Sequence, residues 1–277
     1  MKILSQGSEL LKGIPKEILD LAPTTPLIDI KDISTAKSPA TSIFVASELE
    51  PLQIVEHILD QSISSVLQMN KKYFLEDLKM LARLKQDSEG YFKNYAGHLF
   101  PDTAEKIILE FGHANEKEQL RAKILEFAQK TKSQSVVEST QAIFEELYMN
   151  AILDAPKEAL KRNQKMNHYD QGVKATFCLV RSDLQLAISC SDPYGSLDCQ
   201  KFLKRLREIY QKGAGQVINL KKEGGAGIGC SLMWENSASI ILGVIPNKKT
   251  VVTCVIPLGL SNRQRAEVKK SLHLVEL

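Results

Sequence analysis

No stretch of the 277-residue sequence approaches the roughly 18 consecutive apolar residues of a membrane-spanning helix. Ile240–Ile245 is among the longest runs and is far too short, so no membrane partner is expected. The opening residues, Met1-Lys2-Ile3-Leu4-Ser5-Gln6-Gly7, hold no apolar signal core, and a cytoplasmic location without an export signal is the expectation. Cysteine is scarce. Cys178, Cys190, Cys199, Cys230 and Cys254 are odd in number, form no C-x-x-C pair and all lie beyond residue 170. Four fall in apolar, strand-like stretches, which points to small buried residues in a reducing compartment. No Cys/His cluster has zinc-ligand spacing. No G-K-[ST] follows a glycine run, which excludes a Walker A loop. The glycine-rich stretch comes late and without a βαβ unit around it, which excludes a Rossmann fingerprint. There is no internal repeat.

What remains is an ordinary globular composition, 43% apolar and 25% charged with 15 Gly and 10 Pro. That excludes a wholly disordered or collagen-like chain and is enough for one or two domains with real cores. The 36 basic and 33 acidic residues leave a net charge of +3. Residues 1–135 carry 17 basic and 19 acidic side chains, net −2; residues 136–277 carry 19 and 14, net +5. The second half is therefore the better place for an anion. The excess is too small to point to nucleic acid.

Four segments follow from the pattern. Residues 1–40 are irregular and rich in turn formers, with Leu27-Ile28-Asp29-Ile30 as a short strand candidate. Residues 41–100 form a small, receiver-like α/β module: strand 42–46, helix 48–60, strand 62–67, helix 73–85. It shows no phosphorylatable Asp cluster. Residues 101–132 read as a helical connector starting at Pro101-Asp102-Thr103. Residues 133–277 open with a long helix, 133–161. Two β-branched runs, 175–180 and 184–190, come next, then a basic amphipathic helix, 198–211. A Gly-rich turn and two more runs, 238–245 and 251–256, complete the segment. Short turns between the strands imply antiparallel pairing. The fold class expected is α/β. The C-terminal half is a two-layer sandwich, a mixed, largely antiparallel sheet with helices on one face.

Three stretches carry chemistry. On the long helix, Glu146 and Asn150 lie four residues apart and project from one face. A carboxylate can accept a proton, and an amide oxygen suits Mg²⁺; a solvated polar face would show the same spacing. After the second strand, Asp192-Pro193-Tyr194-Gly195 reads either as a turn or as a carboxylate on the floor of a pocket, accepting from an exocyclic amine. Finally, Gly225, Gly227 and Gly229 alternate ahead of a helical stretch. Such glycines let backbone N–H groups approach phosphate oxygens, or simply give a hinge.

Taken together, order, residue types and spacing resemble the Bergerat-type (GHKL) ATP-binding fold of histidine kinases, anti-sigma-factor serine kinases, gyrase and mismatch-repair ATPases, over about residues 133–260. The resemblance implies ATP and Mg²⁺ as cofactors. It makes Asn150 the Mg²⁺ ligand, Asp192 and Gly195 the adenine box, Gly225, Gly227 and Gly229 the phosphate-side glycines, and residues 197–223 the ATP lid. In its anti-sigma branch it makes Glu146 the general base toward a protein hydroxyl. Lys201, Lys204, Arg205, Arg207, Lys212, Lys221 and Lys222 would surround the lid with positive charge, and Lys212-Gly213-Ala214-Gly215 would hinge it.

The expected function is thus an ATP·Mg²⁺-binding signalling regulator, a protein serine/threonine kinase of the anti-sigma type. Its partner would be an anti-anti-sigma or other signalling protein, with a homodimer as an open option. The alternative is a non-catalytic nucleotide-binding module that switches partner affinity. Where many relatives carry His or Lys three or four residues after the Asn, this chain has Leu153 and Asp154. The five histidines lack the surroundings of a kinase phosphoacceptor. His98, His168 and His273 read as loop or terminal residues, and all five as surface or satisfied core. Trp234 is expected to pack on the sheet, and Tyr73, Phe74 and Leu78 to form a helix core face.

Overall fold

A computed structural model describes residues 27–29, 42–61, 63–69, 73–161, 174–213 and 229–277. In chain order these form β1 (Leu27–Asp29), β2 (Ile43–Ala46), α1 (Pro51–Gln61), β3 (Ser65–Gln68), α2 (Phe74–Gln86), α3 (Ser88–Asn94), α4 (Ala96–Leu99) and β4 (Glu105–Phe111). Then come α5 (Lys117–Gln129), α6 (Gln134–Met149), a π-helical turn (Asn150–Asp154), α7 (Ala155–Lys161), β5 (Ala175–Arg181) and β6 (Gln185–Asp192). The chain closes with α8 (Cys199–Lys212), α9 (Gly229–Asn236), β7 (Ser239–Ile245), β8 (Lys249–Pro257), α10 (Asn262–Ala266) and β9 (Ser271–Glu276).

One nine-stranded sheet runs through the molecule in the order β1-β2-β3-β9-β7-β8-β6-β5-β4. The span β7-β8-β6-β5-β4 is antiparallel throughout, while β1-β2-β3 and β7-β9 are parallel. The fold is the mixed, largely antiparallel α/β sandwich read from the sequence.

Period-two alternation splits each strand between two cores. Phe177, Leu179, Leu186, Ile188, Ile240, Leu242, Val252, Cys254 and Ile256 face one side, where α1, α5, α6, α8 and α9 cover them. Cys178, Val180, Ala187, Ile241, Val251 and Val255 face the other, under α2, α3 and α4. The helices of the C-terminal half, α6, α8 and α9, thus share one face. The second face is closed by helices from residues 73–99. A strand buried on both faces has no polar side to show, which is why β5, β7 and β8 read as unbroken apolar runs. The first core centres on stacked rings: Phe111 on Phe177 at 5.1 Å, Phe111 on Tyr148 at 5.5 Å and Phe144 beside Phe177 at 5.3 Å. Trp234 is fully buried in the same core. Tyr73, Phe74 and Leu78 are buried too; Phe74 and Leu78 join the second core, and the Tyr73 hydroxyl donates to the Leu258 carbonyl. On the second face a chain of hydrogen bonds links three buried polar side chains: Tyr91 Oη to Thr253 Oγ1 at 2.9 Å, Thr253 to Ser189 Oγ at 2.8 Å, and the Ala96 N–H to Ser189 Oγ at 2.9 Å.

Two expectations are overturned. Residues 101–132 are not helical throughout, because Glu105–Phe111 is the edge strand β4. The run Glu-Lys-Ile-Ile-Leu-Glu-Phe alternates in exposure rather than cycling with a helical period, and pairing with β5 decides the matter. His273 is not a loop or terminal residue. It sits in β9 between Ser65 of β3 and Ile241 of β7, fully buried, and neither ring nitrogen has a hydrogen-bond partner. Of the other four, His98 lies in the short helix α4 and His168 lies outside the described residues.

Burial, and then the charge of Lys85, push the His273 imidazole down to about 3. From pH 6.5 to 3 the unfolded chain therefore takes up a proton that the folded chain refuses, and stability falls as acid is added. His273→Leu should gain about 1–3 kcal/mol at neutral pH by removing an unpaired buried polar ring. It should also flatten the slope below pH 6.5. Urea unfolding at pH 5 and pH 8 reads both effects; a variant as acid-sensitive as wild type would acquit His273.

Candidate functional site

The long helix foreseen over 133–161 is one continuous rod with a widened turn. Pro156 causes the widening: it has no N–H to give, and its ring would collide with the carbonyl four residues back. The Ala155 N–H accordingly reaches the Asn150 carbonyl, five residues back. Asn150 opens this π-turn, half-exposed, and its side chain has no partner among the described residues. A single π-turn inside an α-helix frequently marks a functional position.

Two adjacent glutamates on α6 have opposite fates. Glu145 accepts from Arg121 Nε at 2.7 Å and from Arg121 Nη2 at 2.6 Å, and it pairs with Lys117 at 2.7 Å. Its burial would raise its pKa, but those two cations hold it below the usual carboxylate range. Glu145 is thus consumed in tying α5 to α6. Glu146, half-buried, makes no hydrogen bond or ion pair among the described residues. Burial first, then the negative charges of Asp154 and Glu145, push its pKa up. A raised carboxylate pKa makes a stronger base nearer neutral pH. The Glu146 carboxylate lies directly against Gly229, the first residue of α9. A Cβ built on Gly229 would overlap Glu146 Oε2 and come within 2.7 Å of its Cδ. Two of the three separated stretches therefore meet at this contact.

The Asp192 stretch joins from the sheet side. β6 ends at Asp192, opposite Thr250 of β8 and packed near the π-turn. Asp192 Oδ1 accepts the Tyr194 N–H at 2.9 Å, closing an Asx turn. Burial raises the Asp192 carboxyl to about 6, against the lowering effect of the Tyr194 N–H, Thr250 and the Gly195 N–H. Tyr194 is buried on Ala155 and Ala159 of α7, and Ser196 Oγ donates to the Ala155 carbonyl at 3.1 Å. These contacts pin the turn to the helix that follows Asn150. Gly195 has φ +56°, and its carbonyl accepts from the Asn247 N–H at 3.2 Å. A Cβ there would overlap the Ile245 carbonyl and lie 2.7 Å from the Lys248 nitrogen. Only glycine fits between the end of β6 and the β7–β8 hairpin.

Gly225 and Gly227 lie outside the described residues, as do Lys221, Lys222, Ala214 and Gly215. The described part of the basic stretch is α8, whose first turn is capped by the Asp198 side chain accepting from the Lys201 N–H at 2.9 Å. Several of its cations have partners: Lys201 with Glu158 at 3.9 Å, Arg205 with Glu208 at 3.0 Å, and Arg207 with Asp60 of α1 at 3.3 Å. Lys204 and Lys212 are exposed. Gly213 ends the helix at φ +82°. Among the described residues, no group of three or more His, Cys, Asp and Glu is placed to hold a metal ion, and no helix is long and apolar enough to cross a membrane.

Reading along the chain missed Thr250, Tyr194 and Ser196 as parts of this site. Thr250 could be found only through strand register. Tyr194 and Ser196 could be found only through the packing of α7.

The two glycines should respond differently to the same change. Gly195→Ala should cost roughly 2–4 kcal/mol, because the strain and the clash are both with backbone. Gly229→Ala should leave stability within about 1 kcal/mol, because the atoms it meets end a flexible side chain, and should instead move the titration of Glu146. Denaturant unfolding and carboxyl NMR titration separate the two. Comparison of the sequence with models of known protein families and with characterised proteins gives no match.

Proposed function

We propose that the C-terminal half belongs to the Bergerat type and binds ATP·Mg²⁺. On this reading the chain is a signalling regulator that transfers a phosphoryl group to a Ser or Thr of a partner protein. One observation carries the proposal. Glu146 is a half-buried carboxylate seated on the first glycine of α9 and unpartnered among the described residues, while its neighbour Glu145 is locked in ion pairs. A general base needs that freedom and that raised pKa.

The residues present fit the cofactor. Mg²⁺ keeps most of its waters and takes few protein oxygens, so the amide of Asn150, unpartnered among the described residues, would serve as a ligand without an acidic cage. Asp192, buried at a strand end, is fixed by its own turn, as a group reading an exocyclic amine must be. Bound ATP·Mg²⁺ would supply the transferable phosphoryl group. Glu146 would take the proton from the partner's hydroxyl, and catalysis would rest on positioning and charge neutralisation.

A second reading has its own support. Asp154 sets a negative charge near Glu146 where a cation would serve phosphoryl transfer. That arrangement favours a module that binds nucleotide and changes partner affinity without turnover.

Calorimetry should show Mg²⁺-dependent ATP binding, with the metal dependence lost in Asn150→Ala. Asp192→Asn should weaken binding by about 10–150-fold, the worth of a hydrogen bond to a charged group. Wild-type affinity should fall below pH 6, where Asp192 gains a proton and ceases to be a pure acceptor. An unchanged titration curve for Asp192→Asn would remove adenine reading from that residue. Glu146→Gln should abolish transfer and leave nucleotide affinity near wild type. Equal, near-zero turnover in wild type and variant would select the binding module.

A further inference from the structure

β4 ends the nine-stranded sheet, and among the described residues no strand pairs its outer edge. Its seven residues run one-to-one against β5, from Glu105↔Arg181 to Phe111↔Ala175, without proline or a break in register. Ile107 and Leu109 are half-buried against the first core. Lys106, Ile108 and Glu110 point the other way and are exposed. At 54%, Ile108 is the most exposed large apolar side chain among the described residues. A long, regular edge of this kind is a template for another strand.

An antiparallel strand meets its own copy across a two-fold axis. Hydrogen-bonded and non-bonded positions alternate along the edge, so facing residues must be of one kind and the axis must pass through a residue. Three axes keep most of β4 paired. About Ile107, Lys106 faces Ile108 and Glu105 faces Leu109. About Leu109, Ile108 faces Glu110 and Ile107 faces Phe111. About Ile108, Lys106 faces Glu110 twice, Ile107 faces Leu109 twice, Ile108 faces itself, and Glu105 faces Phe111 at the two ends. Of the three, the Ile108 axis alone matches cation with anion and apolar with apolar over the central five residues, the pairings that stabilise neighbouring strands. Neither charge is firmly engaged within the chain. Lys106 has no acidic partner among the described residues, and Glu110 meets Lys174 at 3.3 Å with both side chains exposed, a pair of little worth.

We infer that this chain self-associates as a two-fold dimer through β4, with Ile108 on the axis and two nine-stranded sheets joined edge to edge. The occupant of the edge is a second copy because the strand's charge pattern complements itself. A lone lysine would merely guard the edge; a lysine and a glutamate equidistant from an exposed isoleucine also recruit the same strand in one register. The inference is independent of the nucleotide site.

Sedimentation velocity on the full chain should show a reversible dimer. Lys106→Glu and Glu110→Lys should each weaken it by roughly ten- to hundredfold, since each sets like charges opposite twice. The double variant carrying both changes restores opposite charges and should recover the dimer. Ile108→Cys should give an intermolecular disulfide under mild oxidation, because the two copies of residue 108 adjoin, while the five native cysteines are buried. Unchanged circular dichroism confirms folding of each variant. A monomeric wild type, which would leave the edge to a strand from another protein, overturns the inference. So do single variants that dimerise like wild type, or a double variant that remains monomeric.

Discussion

The structure depends on a sheet that must be covered on both sides. β5, β6, β7 and β8 carry apolar side chains on each face, and a strand so built cannot leave either face to water. The first face is covered by α8 and α9, which lie between β6 and β7 in the chain, together with α1, α5 and α6, which precede β5. The second takes no helix from between these strands and is closed by α2, α3 and α4, which come from before β4. β9 then links the two halves within the sheet, antiparallel to β3 and parallel to β7. Residues 73–99 and the last strand are therefore part of one packing problem.

Electrostatics at the candidate site follow from the same packing. α5 lies along α6 and brings Arg121 and Lys117 to Glu145, which frees its neighbour from serving as a structural anchor. α9 approaches α6 closely enough that a side chain at residue 229 would displace the Glu146 carboxylate. The widened turn before Pro156 and the Tyr194 contact on α7 together hold the end of β6 against the helix that carries Asn150. Burial raises the carboxyls of Glu146 and Asp192 alike. Glu146 meets no described donor, whereas Asp192 is held by turn N–H groups. On the proposed reading the first would take a proton and the second would read the ligand.

Much of this was legible along the chain, and the failures have specific causes. β5, β6, β7, β8 and α8 announce themselves by β-branched runs and by helical periodicity, and their bounds differ from expectation by a residue or two. β4 did not, because an edge strand with charged ends and three central apolar residues resembles a short amphipathic helix until its partner is known. β9 contains a histidine and ends in a glutamate, so its composition gave no warning that His273 would be sealed between two strands. Asp192 looked like a turn residue or a pocket floor. It is a turn residue that is also buried, because Tyr194 and Ser196 dock on α7.

The sequence by itself determined the alternation of helices and strands, the antiparallel pairing of the hairpins, and which residue types could do chemistry. Those are local properties, set by side-chain period, turn residues and chemical kind. Tertiary structure alone decided which of two adjacent glutamates is tied into ion pairs, where the second face finds its cover, and that Glu146 meets Gly229 across more than eighty residues of chain. Contacts of that kind arise from the close packing of distant elements, and no pattern along the chain encodes the distance between them.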